Sequence, residues 1–329
     1  MSDSSPTRVL VTGAGGPAGI AVLRSLARRD DVVLLAADMD RYASGLYLVE
    51  AGARHLVRPG LSEEFVDHLV ELCERERVDV LFSTVDVELP RLAAERKRLE
   101  AVGTTLAAPS LETLEVCLDK YALAQRCTGV VRTPRTALLG ETDPDSWDYP
   151  VIVKPRRGAG SRGVHLVESA DALRALGSDE DILVQANLPG DEYSVDTLAD
   201  ADGTVVAAVP RSRLRVDSGV SVAGTTVADP ELEETARQVA AAIGLVGVAN
   251  VQLRRDAEGR PALLEVNPRF PGAMPLTVAA GVDMPSLALD LALERPLPAS
   301  VPFRELAVVR YLEDVFLPLT DVVAEETAR

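Results

Sequence analysis

Four segments of the chain gather residue types that can do chemistry. The sharpest is Leu263-Leu264-Glu265-Val266-Asn267-Pro268-Arg269. Side chains alternate along a strand, so Glu265 and Asn267 share one face. With a turn centred on residues 257–259, Gln252 lies opposite Glu265 across a hairpin. Three oxygen donors then converge between apolar Val251, Leu253, Leu264 and Val266. An all-oxygen set suits Mg²⁺, which keeps waters and takes further oxygens from phosphates. Arg269 follows directly and can bind an anion in the same place.

The second segment is Val151-Ile152-Val153-Lys154-Pro155 with the loop 156–164 behind it, which carries Gly158, Gly160, Ser161 and Gly163. A lysine projects from an apolar strand, and a Gly/Ser loop returns into another. Such a loop can fold over phosphates with its backbone N–H groups while the lysine neutralises an oxygen. In the third segment a strand ends, the chain turns at Pro189-Gly190, and a strand bearing Glu192 begins. The backbone of Gln185, Ala186, Asn187 and Leu188 can meet an adenine edge, and Glu192 can accept hydrogen bonds from ribose hydroxyls. The fourth is Gly13-Ala14-Gly15-Gly16-Pro17-Ala18-Gly19, with Asp38 ending the next strand. It reads either as a dinucleotide loop or as the tight strand-to-helix turn of any doubly wound domain.

The elements that must position these residues change style along the chain. Strands at 8–12, 32–37, 53–57, 78–83 and 105–107 alternate with helices at 20–29, 63–75 and 90–101. That rhythm predicts a parallel, doubly wound sheet with right-handed crossovers over about the first 110 residues. A helix at 111–125 carries Lys120, and short strands follow at 136–139, 150–155, 163–168 and 181–188. Small mixed sheets of this kind make lids. The last part predicts strands at 192–198, 205–211, 222–228, 249–254 and 262–267, with helices at 231–243 and 275–293.

Composition narrows the function classes. The 329 residues suit two domains or three lobes at ~150 residues each. Hydrophobic residues make up 47%, enough for a real core. A net charge of −17 argues against a nucleic-acid footprint. No apolar run is long enough to span a bilayer, and residues 1–7 are polar with no signal-peptide core. Cys73, Cys117 and Cys127 are scattered, which predicts a reduced, cytoplasmic protein without disulfides. His55, His68 and His165 lack zinc-site spacing.

Taken together, the segments resemble the ATP-grasp superfamily. The likeness rests on Lys120, Lys154, the loop from Gly158 to Gly163, the stretch Gln185 to Leu188, Glu192, and Glu265-Val266-Asn267-Pro268-Arg269, in that order. The metal set with Gln252 is similar to the carbamoyl-phosphate-synthase large-subunit type. The length is similar to short, single-unit amino-acid ligases, including that of pyrrolysine biosynthesis. One such unit fits in the chain, so carbamoyl phosphate synthesis is not implied. Gln185 departs from the Glu that many members carry at the hinge.

The resemblance implies an α/β fold in three parts. Residues 1–110 would form a preceding doubly wound parallel domain, 111–185 a lid subdomain with the glycine-rich loop, and 186–329 a C-terminal α+β subdomain with the metal site. It implies ATP and Mg²⁺, with Mn²⁺ as a substitute, and an ADP-forming carboxylate–amine ligase. Lys120 and Lys154 would hold phosphates, Gln252, Glu265 and Asn267 the metal, and Arg269 the acylphosphate. Arg211 or Arg213, on the strand after the ribose acid, would take a substrate carboxylate, against the alternative of solvent-facing arginines. Asp86 and Glu88 end a parallel strand and would attract an ammonium group, against the alternative of a helix-capping loop. The partners would be small carboxylates and amines, amino acids among them, and a second copy of the chain. Two other classes stay open at this level. One is an NAD(P)-dependent reductase using Gly13–Gly19 and Asp38, and the other is a silent nucleotide-binding regulator.

Overall fold

The computed structural model describes residues 5–158, 160, 162–217 and 219–324. Ser161 lies outside the described residues. The first sheet is wholly parallel, with strands β1 (Thr7–Thr12), β2 (Val32–Asp38), β3 (Arg54–Leu56), β4 (Val80–Ser83) and β5 (Thr105–Leu106) in the order β3-β2-β1-β4-β5. Helices α1 (Pro17–Leu26), α2 (Phe65–Glu76), α3 (Leu89–Ala94) and α4 (Arg96–Ala101) connect these strands. The core of β1 and all of β4 are buried, so they read as apolar runs rather than alternating strands. Pro17 opens α1, where a missing N–H costs nothing. The strand order reverses between β1 and β4, the place where open parallel sheets present a crevice.

Two short helices follow, α5 (Leu111–Leu118) and α6 (Lys120–Cys127). The single helix expected at 111–125 is thus broken at Asp119, whose carboxylate accepts from the N–H groups of Tyr121 and Ala122. A four-stranded lid sheet comes next, β6 (Thr136–Leu139), β7 (Val151–Pro155), β8 (His165–Val167) and β9 (Asp179–Ala186), ordered β6-β9-β7-β8. Helix α7 (Ala170–Ala175) packs in its small core with Trp147, Val151, Val167 and Leu173.

The larger antiparallel sheet is built from β10 (Glu192–Ala199) and β11 (Val205–Ser212), then, past a small hairpin, β14 (Gly247–Arg255) and β15 (Pro261–Asn267). Its order is β11-β10-β14-β15. The hairpin strands β12 (Arg215–Asp217) and β13 (Val220–Thr225) form a third sheet with β16 (Ala307–Val309). Neither β12 nor β16 was expected, since three-residue strands carry almost no periodic signal. Helix α8 (Pro230–Ala242) covers one face of the large sheet. Cys117, Leu123 and Cys127 join that same core, so α5 and α6 pack on the C-terminal sheet rather than in the lid. The helix expected at 275–293 is two, α9 (Met274–Ala279) and α10 (Met284–Ala292), parted at Gly281 with φ +114°.

The other face of the large sheet shares a core with the N-terminal domain. Val9, Val22, Phe82 and Leu26 meet Leu198, Val209, Phe270 and Leu289 there. The Phe82 and Phe270 rings pack edge to face at 5.5 Å. One buried carboxylate pins this region. Asp196 on β10 accepts from Arg211 Nε (2.9 Å) and Nη2 (2.6 Å) on β11, Asn250 Nδ2 (2.8 Å) on β14, and Thr277 Oγ1 (2.5 Å) on α9. Among the described residues no helix is long and apolar enough to cross a membrane.

Removing one partner of a buried ion pair leaves an uncompensated charge. Asp196→Ala is therefore expected to lose about 3–5 kcal/mol of stability. Urea unfolding followed by circular dichroism checks this. A loss under about 1 kcal/mol would show that Arg211 finds another counter-charge.

Candidate active site

A cavity of about 850 Å³ separates the lid sheet from the large antiparallel sheet. Its walls carry Lys120, Lys154, Glu192, Arg211, Arg213, Gln252, Glu265, Asn267 and Arg269. The chain has only three lysines, Lys97, Lys120 and Lys154, and arginine supplies the rest of its cationic side chains. Two of the three line this cavity.

Lys154 projects from β7 and is buried. Burial lowers its amine to about 8; Glu265 pulls it up, and the neighbouring Lys120 pushes it further down. Lys120 opens α6. The Asp119 carboxylate caps that helix and also takes Arg156 Nε at 2.7 and 2.9 Å and Arg157 Nη2 at 3.0 Å. The helix break thus ties the lysine to the end of β7. Its Nζ donates to the Gly158 carbonyl at 2.7 Å and lies 3.7 Å from Glu265. Gly158 and Gly160 take φ of +128° and +71°, left-handed values that glycine tolerates without strain. A side chain on Gly219 of the facing hairpin would come within 3.2 Å of the Gly160 backbone, so loop and hairpin nearly touch.

The hinge is more committed than its sequence suggests. Gln185 is buried, and its amide donates to Thr136 Oγ1 at 2.9 Å inside the lid. The Ala186 N–H donates to the Arg135 carbonyl. Asn187 and Leu188 line the cavity. Glu192 pairs with Arg213 at 2.8 Å, and Arg213 also donates to Ser194 Oγ and the Gly219 carbonyl, both at 3.3 Å. Arg213 is thereby a clamp between β10 and the hairpin, not a free carboxylate receptor.

Across the large sheet, Gln252 pairs with Glu265 and Asn250 with Asn267. A bulge follows Gln252, so Leu263 points into the core while Leu264 joins Glu265 at the cavity. Strict alternation would have put Leu264 with Val266 in the core. Glu265, Gln252 and Asn267 are oxygen donors on one cavity wall, which fits a hard cation such as Mg²⁺ or Mn²⁺. Lys120 near Glu265 balances the carboxylate.

Two of the cavity-lining arginines are each gripped by an aspartate. Arg211 is buried, with Asp196 on Nε and Nη2, and its Nη1 has no partner among the described residues. Arg269 donates to Asp86 through Nε (2.6 Å) and Nη2 (2.9 Å), and to the Phe270 carbonyl through Nη1 (3.2 Å). Asp86 is thus already paired. Glu88 is not brought to the cavity. It is buried and accepts from Thr12 Oγ1 (2.5 Å) and Ser83 Oγ (2.8 Å). Burial raises its carboxyl against those two donors. Its role is to tie the loop after β4 to β1; it stands at the N-cap of α3 without a side-chain capping bond, so neither the ammonium site nor the capping alternative describes it.

The glycine cluster at Gly13–Gly19 is filled by the chain itself. A side chain on Gly45 would fall on the Ala14 carbonyl, and one on Gly15 would strike Ala43. Asp38 is spent on the N–H groups of Gly15 (2.8 Å) and Asp40 (3.0 Å). That packing removes the room and the free acid that a reductase needs. The residues missed from sequence are Asp119, Asp196 and Asn250. Asp119 carried a readable signal, an N-cap type directly before Lys120.

Comparison with known proteins places this geometry. Residues 178–315 match the family model "ATP-grasp in the biosynthetic pathway with Ter operon", and residues 9–107 match "PylC-like, N-terminal domain". The chain carries an ATP-grasp domain behind a PylC-like N-terminal domain. It is 27% identical over 248 residues to the carbamoyl phosphate synthase arginine-specific large chain of Bacillus subtilis, covering 68% of itself and 24% of that protein. The chain therefore spans about a quarter of that relative's length. Its fold matches the biotin carboxylase domain of Hydrogenobacter thermophilus 2-oxoglutarate carboxylase, solved with MgADP and bicarbonate (TM-score 0.74, 17% identity, 91% of this chain and 73% of that one). It also matches an L-amino acid ligase from Bacillus licheniformis (TM-score 0.65, 18% identity, 88% and 75%).

With so few lysines, the buried amine is directly observable. After isotope-labelled reductive methylation, one of three lysine signals is expected to titrate near 8 and to vanish in Lys154→Met. The folded value lies below the unfolded one, so the unfolded chain binds the extra proton between them. Stability then rises with pH from about 8 towards 10.5. Lys154→Met is expected to be the more stable protein below pH 8 and to lose that advantage as pH rises. A constant difference across this range would place Lys154 in water.

Proposed function

We propose that the chain is an ATP-dependent carboxylate–amine ligase that releases ADP and phosphate. One observation carries this: Lys120 and Lys154 lie beside Glu265 in a cavity whose wall also carries two aspartate-held arginines. The lysines with Glu265 suit a polyphosphate with its cation, and the arginines suit a carboxylate. The likeness to an L-amino acid ligase and to a structure solved with MgADP supports the same assignment.

The nucleoside lies along Gln185–Leu188, held by the backbone of Asn187 and Leu188, with Glu192 turning from Arg213 to the ribose hydroxyls. Lys120 and Lys154 take the phosphates, and the loop from Gly158 to Gly163 covers them. Gln252, Glu265 and Asn267 would hold Mg²⁺, which spreads the charge of the terminal phosphates. The substrate carboxylate lies beyond the γ-phosphate, aligned by the open edges of Arg269 and Arg211. A carboxylate oxygen bonds to the γ-phosphorus and the bond to the β–γ bridging oxygen breaks, giving ADP and an acylphosphate. The amine nitrogen then bonds to the acyl carbon and phosphate leaves, with the amine proton passing to substrate or solvent. Loop closure keeps water from the acylphosphate. Phosphoryl transfer depends mainly on position and charge, so the side chains need only hold and shield.

Three measurements test this. MgATP is expected to raise the melting temperature and NADH to leave it unchanged, because only a ligand of the folded state stabilises it. Phosphorus NMR of turnover with a panel of amino-acid pairs is expected to show ADP and phosphate. AMP with pyrophosphate would overturn the acylphosphate route. Glu265→Gln and Asn267→Ala are expected to lower turnover at least about 10²-fold with circular dichroism unchanged. Near-normal rates in either variant would remove that residue from the cation site.

A further inference from the structure

Arg269 and Asp86 are 183 positions apart in the chain and come from different sheets' ends. Each stands next to a packed ring. Phe270 follows Arg269, Phe82 lies in β4 just before Asp86, and the two rings meet at 5.5 Å in the shared core. The loop bearing Asp86 is itself tied down. Thr84 Oγ1 donates to the Thr12 carbonyl at 2.9 Å, and Glu88 takes the hydroxyls of Thr12 and Ser83. Asp86 is therefore a rigid carboxylate, delivered by the N-terminal domain to the cavity-lining Arg269.

A guanidinium has five N–H groups on two forks. Asp86 fills the Nε/Nη2 fork of Arg269, and the Phe270 carbonyl takes one N–H of Nη1. The remaining N–H groups of Nη1 and Nη2 lie on the other edge of this cavity-lining residue. Arg211 repeats the pattern. Asp196 fills the same Nε/Nη2 fork, and the buried Nη1 is left without a partner among the described residues. Long arginine side chains lose much rotamer freedom when fixed, so a carboxylate that fixes them beforehand removes that cost from binding.

We propose that Asp86 is a positioning residue for the ligase chemistry: it aims Arg269, from the N-terminal domain, at the carboxylate end of the cavity. This rests on the ligase reading above. It replaces the expectation that Asp86 receives a substrate ammonium, because its carboxylate already has its counter-ion. It also gives the N-terminal domain a part in the reaction, as the support of one arginine rather than as a nucleotide site.

The test is a double-mutant cycle on carboxylate activation. Hydroxylamine traps the acylphosphate as a hydroxamate, so no amine partner need be known. The carboxylates are a panel of amino acids and their desamino analogues, with MgATP. Asp86→Asn is expected to lower kcat about 10²-fold for both kinds of carboxylate, the scale of a misplaced catalytic group. The MgATP Kd should stay within about twofold, and Asp86→Glu should recover part of the rate. In an Arg269→Lys background, Asp86→Asn should cost less than about threefold, since a lysine has no fork to aim. Thermal unfolding is followed alongside, and Asp86→Glu carries the cycle if Asp86→Asn does not fold. Equal losses in both backgrounds would overturn the positioning role alone. A loss confined to ammonium-bearing carboxylates would overturn it in favour of substrate recognition. A wild-type protein that forms no hydroxamate with any carboxylate would overturn the ligase reading and the proposal together.

Discussion

A fully buried carboxylate, Asp196, sets the constraint on which the site depends. It sits in the middle of β10 and receives donors from β11, β14 and α9. A charge removed from water must be compensated on every side, so its partners have almost no freedom of placement. Arg211 is thereby fixed with its buried Nη1 unpaired among the described residues, and Asn250, opposite Asn267 in the ladder, is fixed with it. The same sheet face that buries Asp196 packs against the N-terminal domain. Polar order in the cavity and apolar order between the domains are thus parts of one layer.

The cavity inverts the character of the chain. The protein carries a net charge of −17, yet its cavity wall gathers two of its three lysines and several arginines. Two of these cations are held by acids that are not themselves cavity-lining residues, Arg211 by Asp196 and Arg269 by Asp86. No acid holds Lys154 in an ion pair among the described residues, and burial lowers its amine to about 8 against the pull of Glu265. An incoming polyphosphate would supply the counter-charge that the fold withholds.

Local signals were legible where they had a period or a cap. The parallel rhythm of the first 110 residues and the alternation from Glu265 to Asn267 both appear in the strands observed. The break at Asp119 was visible in principle, because an aspartate before a lysine at a helix start is a capping pattern. The bulge at Leu264 was not, because a one-residue insertion changes no residue type and shifts only which face each side chain takes. The fate of Gln185 was hidden for a similar reason. Whether an amide faces a ligand or Thr136 depends on a strand 49 positions away.

Residue types and their spacing were enough to name the groups that could carry the chemistry: Lys120, Lys154, Glu192, Gln252, Glu265, Asn267 and the arginines, together with the strands that bear most of them. Period-two alternation and turn chemistry are local, and local patterns survive in one dimension. Only the tertiary structure decided which of those charges are already spent. Asp86 belongs to Arg269, Glu192 to Arg213, Asp196 to Arg211, and Glu88 to two hydroxyls. Pairing is a contest among every acid and base that packing brings within about 4 Å, and separation along the chain places no bound on it. The filling of the Gly13 loop by residues 43–45 follows the same rule, since a crevice exists only where no other part of the chain has packed.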